Sequence, residues 1–261
     1  MPRLDAPSLS KWLGEDCLRK DHQRRLSLAP PSTAILASTA DPLRVNLMNW
    51  NANEHYKNQR VATSYDAVRF SSPAGKVFNR WEKHVISKCF ARVPSDETLV
   101  DIPCGTGRLA DALLSHGYRV HGMDISGEML QVARQRLERF GERFTSEVAD
   151  AKNLPEDADT YAGALCARVL MHFPLEQQIE FLAGVAKLSR GTVVINHSLD
   201  SPYQRFRRGI KRLLGHQASA RFPISNADIK RLLQGAGLRE IKRHRLMPLI
   251  SEAIYIVAVK T

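Results

Sequence analysis

The stretch from Leu99 to Ala110 constrains this 261-residue chain more than any other. It is an apolar run that ends in Asp101, followed by a turn containing Gly105 and Gly107 and by the start of a helical pattern. Glycine has no Cβ, so the backbone there can turn sharply and lie against a ligand, and the following helix begins with unpaired N–H groups. The stretch predicts the mouth of a nucleotide site, although tight turns and close helix packing also require glycine.

A second acid follows at the distance that such a site needs. Asp124 ends the next short apolar run, which begins at Val120. At that position of a β-turn-α-β unit, a carboxylate can accept hydrogen bonds from both hydroxyls of a ribose. The G-x-G-x-x-G spacing with which nicotinamide enzymes approach a pyrophosphate is missing from this turn, which argues against a dinucleotide.

Helical patterns and short apolar runs alternate along the rest of the chain. The predicted helices cover 61–70, 77–90, 108–116, 126–140, 175–188, 203–214 and 225–234. The predicted strands cover 99–101, 118–124, 143–149, 161–167, 191–197, 238–246 and 250–259. This alternation predicts an α/β fold in which a parallel sheet carries helices on both faces.

Three acidic positions together resemble a known cofactor site. Asp101-x-x-x-Gly105-x-Gly107, then Asp124, then Val148-Ala-Asp150-Ala151 are similar to the S-adenosylmethionine site of the class I, Rossmann-like methyltransferases. The resemblance covers roughly residues 62–260. It implies a seven-stranded, mostly parallel sheet that is closed by a C-terminal antiparallel hairpin with the last strand inserted. It also implies methyl transfer from S-adenosylmethionine to a small-molecule or lipid-like acceptor by in-line displacement.

The same resemblance implies a role for each acid. Asp101 lies near the methionine end, Asp124 binds the ribose, and Asp150 meets the adenine amino group, while the glycines pack against the methionine and ribose. The other positions that the family pattern places at the cofactor are Pro103, Thr106, Ile125, Met129, Ala151 and Cys166. Pro103 stands where the family often has a first glycine. Tyr65-Asp66 resembles the pair on the family's lid helix, which implies that Tyr65 covers the cofactor and that Arg69 pairs with its carboxylate. The alternative is that Tyr65 is an ordinary core residue and Arg69 is solvated.

Candidates for acid–base chemistry lie just after the fourth predicted strand. His172 is the best candidate for a general base, because an imidazole can take up a proton near neutral pH, but a structural histidine at a helix start is the alternative. His197, at the end of the fifth strand, is a second candidate. Arg168 is placed to bind an acidic substrate or to cap the end of the strand. A base is required only if the acceptor must lose a proton.

The positive charge of the chain is concentrated in one segment. The net charge is +11, and residues 201–246 contain twelve Lys or Arg against two Asp or Glu. Within this segment, 203–214 has the pattern of a basic amphipathic helix, which suits contact with an anionic membrane or an anionic small molecule. The alternative is an ordinary surface helix whose apolar face packs on the sheet and whose arginines are solvated.

The charge also raises two other functional hypotheses. One is an RNA methyltransferase, but the segment after the fourth strand has no Asn-Pro-Pro-Tyr-like motif and the basic residues are not interleaved with aromatics, which argues against nucleic acid. The other is a non-catalytic S-adenosylmethionine-binding subunit, which the intact acids argue against.

Composition predicts two segments in one soluble, cytoplasmic protein. Residues 1–60 form an extension that serves as an appendage or lid, and 61–261 form the catalytic domain. The N-terminus has no apolar signal core. The four cysteines are scattered, so we expect buried thiols and neither a disulfide framework nor a metal site, and they are Cys17, Cys89, Cys104 and Cys166.

Overall fold

The computed structural model describes residues 72–151, 154, 159–213, 222–247 and 251–261. The predicted extension over 1–60, the predicted helix over 61–70, Tyr65 and Arg69 therefore lie outside the described residues.

The described helices and strands follow the predicted alternation. The helices are α1 (Pro73–Cys89), α2 (Arg108–Ser115), α3 (Gly127–Leu137), α4 (Leu175–Leu188), α5 (Pro202–Leu213) and α6 (Asn226–Gly235). The strands are β1 (Thr98–Asp101), β2 (Arg119–Asp124), β3 (Phe144–Val148), β4 (Tyr161–Cys166), β5 (Ser189–Ser198), β6 (Leu238–Arg245) and β7 (Ala253–Lys260). Short 3₁₀ segments lie at Glu138–Arg143 and Leu170–His172.

These seven strands form one sheet in the order β3-β2-β1-β4-β5-β7-β6. The pairs among β1 to β5 are parallel, whereas β7 is antiparallel to both β5 and β6 and lies between them. The predicted mostly parallel sheet, with its last strand inserted in a C-terminal antiparallel hairpin, is confirmed. Parallel strands end at a common edge, so the ends of β1, β2 and β4 meet there.

Two apolar layers hold the sheet between helices, as predicted. Side chains of α1, α2 and α3 cover one face, and those of α4 and α6 cover the other. Along β5 the alternation is visible, because Val194 contributes to the first layer while Val193 and Ile195 contribute to the second.

Several predicted boundaries were wrong by a few residues. Helix α1 begins at Pro73 instead of Val77, because the Ser72 hydroxyl accepts a hydrogen bond from the Gly75 N–H and proline fits the first helical position. Helix α3 ends at Leu137, short of the predicted 140, and Gly141 then adopts a φ of +54°.

The buried face of α1 also differs from the expected apolar stripe. Val77 and Trp81 are 58% and 51% exposed, whereas Glu82 is completely buried beside Val85 and Ile86. A fully buried carboxylate is costly unless it is paired, so Glu82 requires partners inside the protein.

No helix in the part of the chain that the structure describes is long and apolar enough to span a bilayer.

Candidate cofactor and acceptor site

Three predicted acids lie at the carboxyl edge of the sheet. Asp101 is the last residue of β1 and Asp124 is the last residue of β2, while Asp150 follows the end of β3 by two residues. The Ala149 N–H donates to the Asp124 carbonyl at 3.0 Å, which brings the segment after β3 against the end of β2. The fold therefore gathers at one edge the acids that the sequence spreads over fifty positions.

Asp124 fastens the glycine turn to the second strand. Its Oδ2 accepts from the Gly105 N–H at 2.7 Å, and its Oδ1 accepts from the Ser126 N–H at 2.9 Å. Burial raises the pKa of this carboxyl, and the N–H groups of Ser126 and Gly105 partly oppose the shift. Each carboxylate oxygen accepts more than one hydrogen bond, so the same group can also receive ligand hydroxyls.

Asp101 is a buried carboxyl with an unsatisfied oxygen. It is 1% exposed, and its Oδ2 has no hydrogen-bond partner among the described residues. Burial raises its pKa well above the usual range, the nearby charge of Asp124 raises it further, and the charge of Arg108 acts in the opposite direction. A ligand that carries an ammonium group and a positive sulfonium fits this acidic corner, because it supplies the missing donor and offsets both carboxylates.

The structure requires glycine at Gly105 and at Gly107 for two different reasons. Both have left-handed backbones, with φ of +56° at Gly105 and +71° at Gly107. A Cβ on Gly105 would meet no atom within 4 Å, so the turn faces open space there. A Cβ on Gly107 would lie 2.8 Å from Leu137 Cδ1 and 3.0 Å from Ala133 Cβ. Gly105 thus leaves room for a ligand, whereas Gly107 lets α3 pack closely on the turn.

The remaining predicted cofactor residues lie in the turn, at or just after the ends of β2, β3 and β4, and in the first turn of α3. The Thr106 hydroxyl accepts from Arg136 Nη1 at 3.0 Å, which ties the turn to α3. Met129 is buried, and its N–H donates to the Ser126 hydroxyl that caps α3. Cys166 is fully buried, and burial raises the pKa of its thiol. Of the others, Ala151 is buried, and Pro103 and Ile125 are half-buried.

The histidine on β5 is structural. His197 is fully buried, its Nδ1 accepts from the Ser198 N–H at 2.9 Å, and its Nε2 donates to Gln178 Oε1 at 3.0 Å. Burial lowers its pKa to about 4, and the neighbouring His172 contributes to this shift. Both ring nitrogens are used, so the hypothesis that His197 is a second candidate base is wrong. His172 is half-buried, just beyond β4, and remains the predicted base.

A buried charge cluster that sequence reasoning missed lies beside the turn. Glu82 Oε2 accepts from Arg108 Nη2 at 2.7 Å, and Arg168 Nη2 donates to both oxygens of Glu82 at 2.7 Å. The Tyr255 hydroxyl donates to Glu82 Oε1 at 2.7 Å. Burial alone would raise the pKa of Glu82, but the charges of Arg168 and Arg108 and the hydrogen bonds lower it to about 2. One ionised carboxylate therefore joins α1, α2, β7 and the segment after β4.

Arg168 was expected to bind an acidic substrate or to cap the end of the strand, and in the structure its guanidinium pairs with Glu82. A signal for this cluster was present in the sequence. Glu82 lies four residues from both Phe78 and Ile86, in the middle of the stripe that α1 buries.

Helix α5 presents its apolar side chains outward. Its exposed hydrophobic residues are Tyr203 at 50%, Phe206 at 69%, Ile210 at 43% and Leu213 at 89%. The helix is attached through polar groups, since Arg208 pairs with Asp200 and with Glu252 Oε2 at 2.9 Å, while Gln204 is buried. The alternative in which the apolar face packs on the sheet is therefore wrong for these residues.

Comparison with known proteins finds similarity to a methyltransferase domain in the part of the chain that carries the site. Residues 99–191 match the methyltransferase domain family. They run from β1 to the start of β5 and include every acid of the site. The region that matches the methyltransferase domain thus makes up a little over a third of this chain.

Individual relatives are methyltransferases as well. The chain is 31% identical over 81 residues to a ubiquinone biosynthesis O-methyltransferase of Coxiella burnetii. The aligned segment covers 31% of this chain and 35% of the relative. It is 28% identical over 157 residues to the chloroplastic magnesium protoporphyrin IX methyltransferase of Arabidopsis thaliana, over 56% of this chain and 47% of the relative. The chain thus spans between about a third and a half of the length of these curated relatives.

A solved structure extends the likeness of the fold. Magnesium protoporphyrin IX methyltransferase from Synechocystis, crystallised with S-adenosylhomocysteine, superposes with a TM-score of 0.63 at 19% identity. The match covers 81% of this chain and 100% of that chain.

Proposed function

We propose that this protein transfers a methyl group from S-adenosylmethionine to a small-molecule acceptor. The observation that carries the proposal is the arrangement of Asp101, Gly105 and Asp124. It combines a buried carboxyl oxygen without a partner, an open glycine turn, and a carboxylate with spare acceptor capacity. The matched methyltransferase domain includes all three residues.

Each residue has a role that follows from its position. Asp101 accepts hydrogen bonds from the amino group of the methionine moiety, and Gly105 allows that moiety to approach the backbone. Asp124 binds the ribose hydroxyls while its other lone pairs hold the turn in place. Asp150, beyond the end of β3, binds the adenine amino group.

Catalysis depends chiefly on positioning. S-adenosylmethionine supplies a methyl group on a positively charged sulfur, and in-line displacement needs the acceptor at near-attack distance with water excluded. His172, beside the end of β4, takes a proton from acceptors that must lose one. In this proposal the domain extends over 61–261, Tyr65 and Arg69 complete the cofactor contacts from the lid, and residues 1–60 are an appendage.

The acceptor is hydrophobic or lipid-like and is taken from an anionic membrane surface. Two features support this inference, namely the outward stripe of Phe206, Ile210 and Leu213 on α5 and the excess of basic residues over 201–246. Exposed apolar side chains on a basic helix favour the interface of an anionic bilayer. The relatives named for ubiquinone biosynthesis and for magnesium protoporphyrin IX are in keeping with an apolar acceptor.

Calorimetric titration with S-adenosylmethionine and S-adenosylhomocysteine, with NAD as a control, tests the cofactor. Micromolar-range binding of the first two alone is the expected result and leads to an acceptor screen of hydrophobic phenols, quinone precursors and lipids. Binding of NAD, or of none of the three, would overturn the assignment.

Vesicle sedimentation tests the membrane contact. We expect the protein to bind phosphatidylglycerol-containing vesicles and not phosphatidylcholine alone, and the Phe206→Ser/Leu213→Ser variant to lose this binding. Val77→Ser is the control, because Val77 is also an exposed apolar residue, at 58%, but lies on α1. Equal binding by the variant, or no binding by the parent protein, would contradict the membrane contact and leave methyl transfer untouched.

A further inference from the structure

Among the described contacts, Arg108 pairs with one buried carboxylate, Glu82, and acts on a second, Asp101, through its charge. It is the first residue of α2, directly after the glycine turn, and its charge lowers the pKa of Asp101 through space. Its Nη2 nevertheless donates to Glu82 Oε2 at 2.7 Å, and its Nη1 donates to Asn79 Oδ1 at 2.6 Å. Both acceptors lie on α1, on the same helix face.

The choice of Glu82 and Asn79 as the partners of Arg108 matters because a guanidinium close to a carboxylate normally pairs with it. A direct pair between Arg108 and Asp101 would use the oxygen lone pairs that an incoming ammonium group requires. Glu82 competes well for Arg108, since its carboxylate is fully buried, ionised down to about pH 2 and hydrogen-bonded by Tyr255 as well. Asn79 fixes the other arm of the guanidinium in the same direction.

We propose that Glu82 and Asn79 are positioning residues that hold Arg108 near Asp101 but off its oxygens, so that Asp101 stays available to the amino group of the cofactor. Arg108 then offsets the charge of Asp101 at a distance without blocking it. The proposal rests on the role of Asp101 in the proposed function.

Binding of S-adenosylhomocysteine, measured by calorimetry, tests the idea without any need for turnover. In Glu82→Gln, Arg108 is released toward Asp101, and we expect the Kd to rise by at least about tenfold, in line with the loss of a hydrogen bond to a charged group. Asn79→Ala, a milder change at a half-buried position, should weaken binding in the same direction. Lys83→Gln is the matched control, because Lys83 also lies on α1 and joins it to α2 through an ion pair with Asp111.

A second substitution separates positioning from a general structural role. Adding Arg108→Gln to either variant removes the cation that would block Asp101, so we expect the Kd to return to within about threefold of the parent value. Because the charge of Arg108 lowers the pKa of Asp101, its removal raises that pKa, and the rescue should be more complete at higher pH. If Glu82 only stabilised the fold, the double variant would bind no better than the single one.

The experiments distinguish an error in this inference from an error in the proposed role of Asp101. If Asp101→Asn binds S-adenosylhomocysteine as the parent protein does, the role of Asp101 is wrong and the inference falls with it. If Asp101→Asn binds weakly but Glu82→Gln and Asn79→Ala bind normally, or the double variants show no rescue, only the inference is overturned. Should Glu82→Gln fail to fold, the Asn79→Ala pair decides the question.

Discussion

At the scale of single residues, the site depends on carboxylates that are buried in the protein and still have acceptor capacity for a ligand. Asp124 holds two backbone N–H groups and still has acceptor capacity for a ligand, whereas Asp101 is buried with an oxygen left over. The two glycines of the turn also differ in what they do, since Gly105 leaves space for a ligand and Gly107 permits close packing of α3. Substitutions at these positions therefore separate binding from stability.

Removal of the Asp124 carboxylate should weaken cofactor binding. We expect Asp124→Ala to cost about 1–3 kcal/mol of binding free energy, because ligand hydroxyls lose their acceptors and the turn loses its attachment at Gly105. Calorimetry with S-adenosylhomocysteine measures the cost, and circular dichroism verifies folding. Unchanged affinity in a folded variant would remove Asp124 from the ribose site.

Alanine at the two glycine positions should affect different properties, mainly stability at Gly107 and mainly cofactor binding at Gly105. Gly107→Ala should lower the free energy of unfolding by about 2–4 kcal/mol, the combined cost of a left-handed alanine and of overpacking against Leu137 and Ala133. Gly105→Ala should cost only about 1–2 kcal/mol of stability but should impair cofactor binding, because its methyl group enters the open space. Urea unfolding and calorimetry on both variants check this, and equal stability losses would contradict it.

At the scale of elements, buried polar contacts determine how helices attach to the sheet. Gln178 of α4 joins His197 of β5 to the Phe173 carbonyl, and Arg208 of α5 joins Asp200 to Glu252. These contacts lie next to the carboxyl edge, so they also shape the surroundings of the site.

The link between β5 and α4 makes the protein sensitive to acid. Burial lowers the pKa of His197 to about 4 in the folded state, below its usual value near 6.5. Between these two pH values the imidazole is protonated in the unfolded chain but neutral in the folded protein. Stability should therefore be unaffected above about pH 6.5 and should fall by roughly 3 kcal/mol as the pH drops from 6.5 to 4. The pKa of His244 is also lowered, and it adds to the same slope.

Urea unfolding at several pH values measures this dependence. His197→Gln should be less stable at pH 7 but should show a clearly shallower decline toward pH 4, whereas an unchanged slope would show that His197 titrates normally in the folded protein.

Attachment of α5 should depend on one arginine more than on its neighbour. Arg208→Met should lower the free energy of unfolding by about 1–3 kcal/mol, because the change leaves Asp200 and Glu252 without their shared partner. Arg205→Met, which removes a largely exposed arginine that also contacts Asp200, should leave stability nearly unchanged. Thermal unfolding compares the two, and an equal effect would contradict the proposed anchor.

At the scale of the whole molecule, the carboxyl edge connects elements from both halves of the sheet. Asp101 and Asp124 come from the parallel part, while Tyr255 of the inserted strand reaches Glu82 on α1, which packs on the same face of the sheet. A ligand at this edge should therefore stabilise the domain as a unit.

Saturating cofactor should raise the melting temperature. At about a hundredfold excess over Kd, binding adds about 2.7 kcal/mol, which corresponds to about 5–10 °C for a domain of this size. Differential scanning fluorimetry with S-adenosylhomocysteine measures the shift, and NAD should produce none. A shift in the parent protein that persists in Asp124→Ala would place the ligand elsewhere.

The inserted last strand was expected only from the resemblance to the class I methyltransferases. The sequence by itself determined the order of the elements, the parallel sheet, and the glycine turn with its acids. These features depend on local patterns, namely hydrophobic periodicity, turn residues and short motif spacing, that are readable along the chain. The caps at Ser126 and Ser225 were likewise predictable, because a capping side chain bonds to the backbone only three residues away.

Only the tertiary structure decided which partners the buried polar residues have and which apolar residues are exposed. Glu82 finds its partners at positions 108, 168 and 255, and His197 finds Gln178, so no local pattern contains these pairs. The outward stripe of α5 was also undecidable from periodicity, which finds an apolar face but not what lies against it. Burial is a property of contacts between distant segments, and these contacts exist only once the chain has folded.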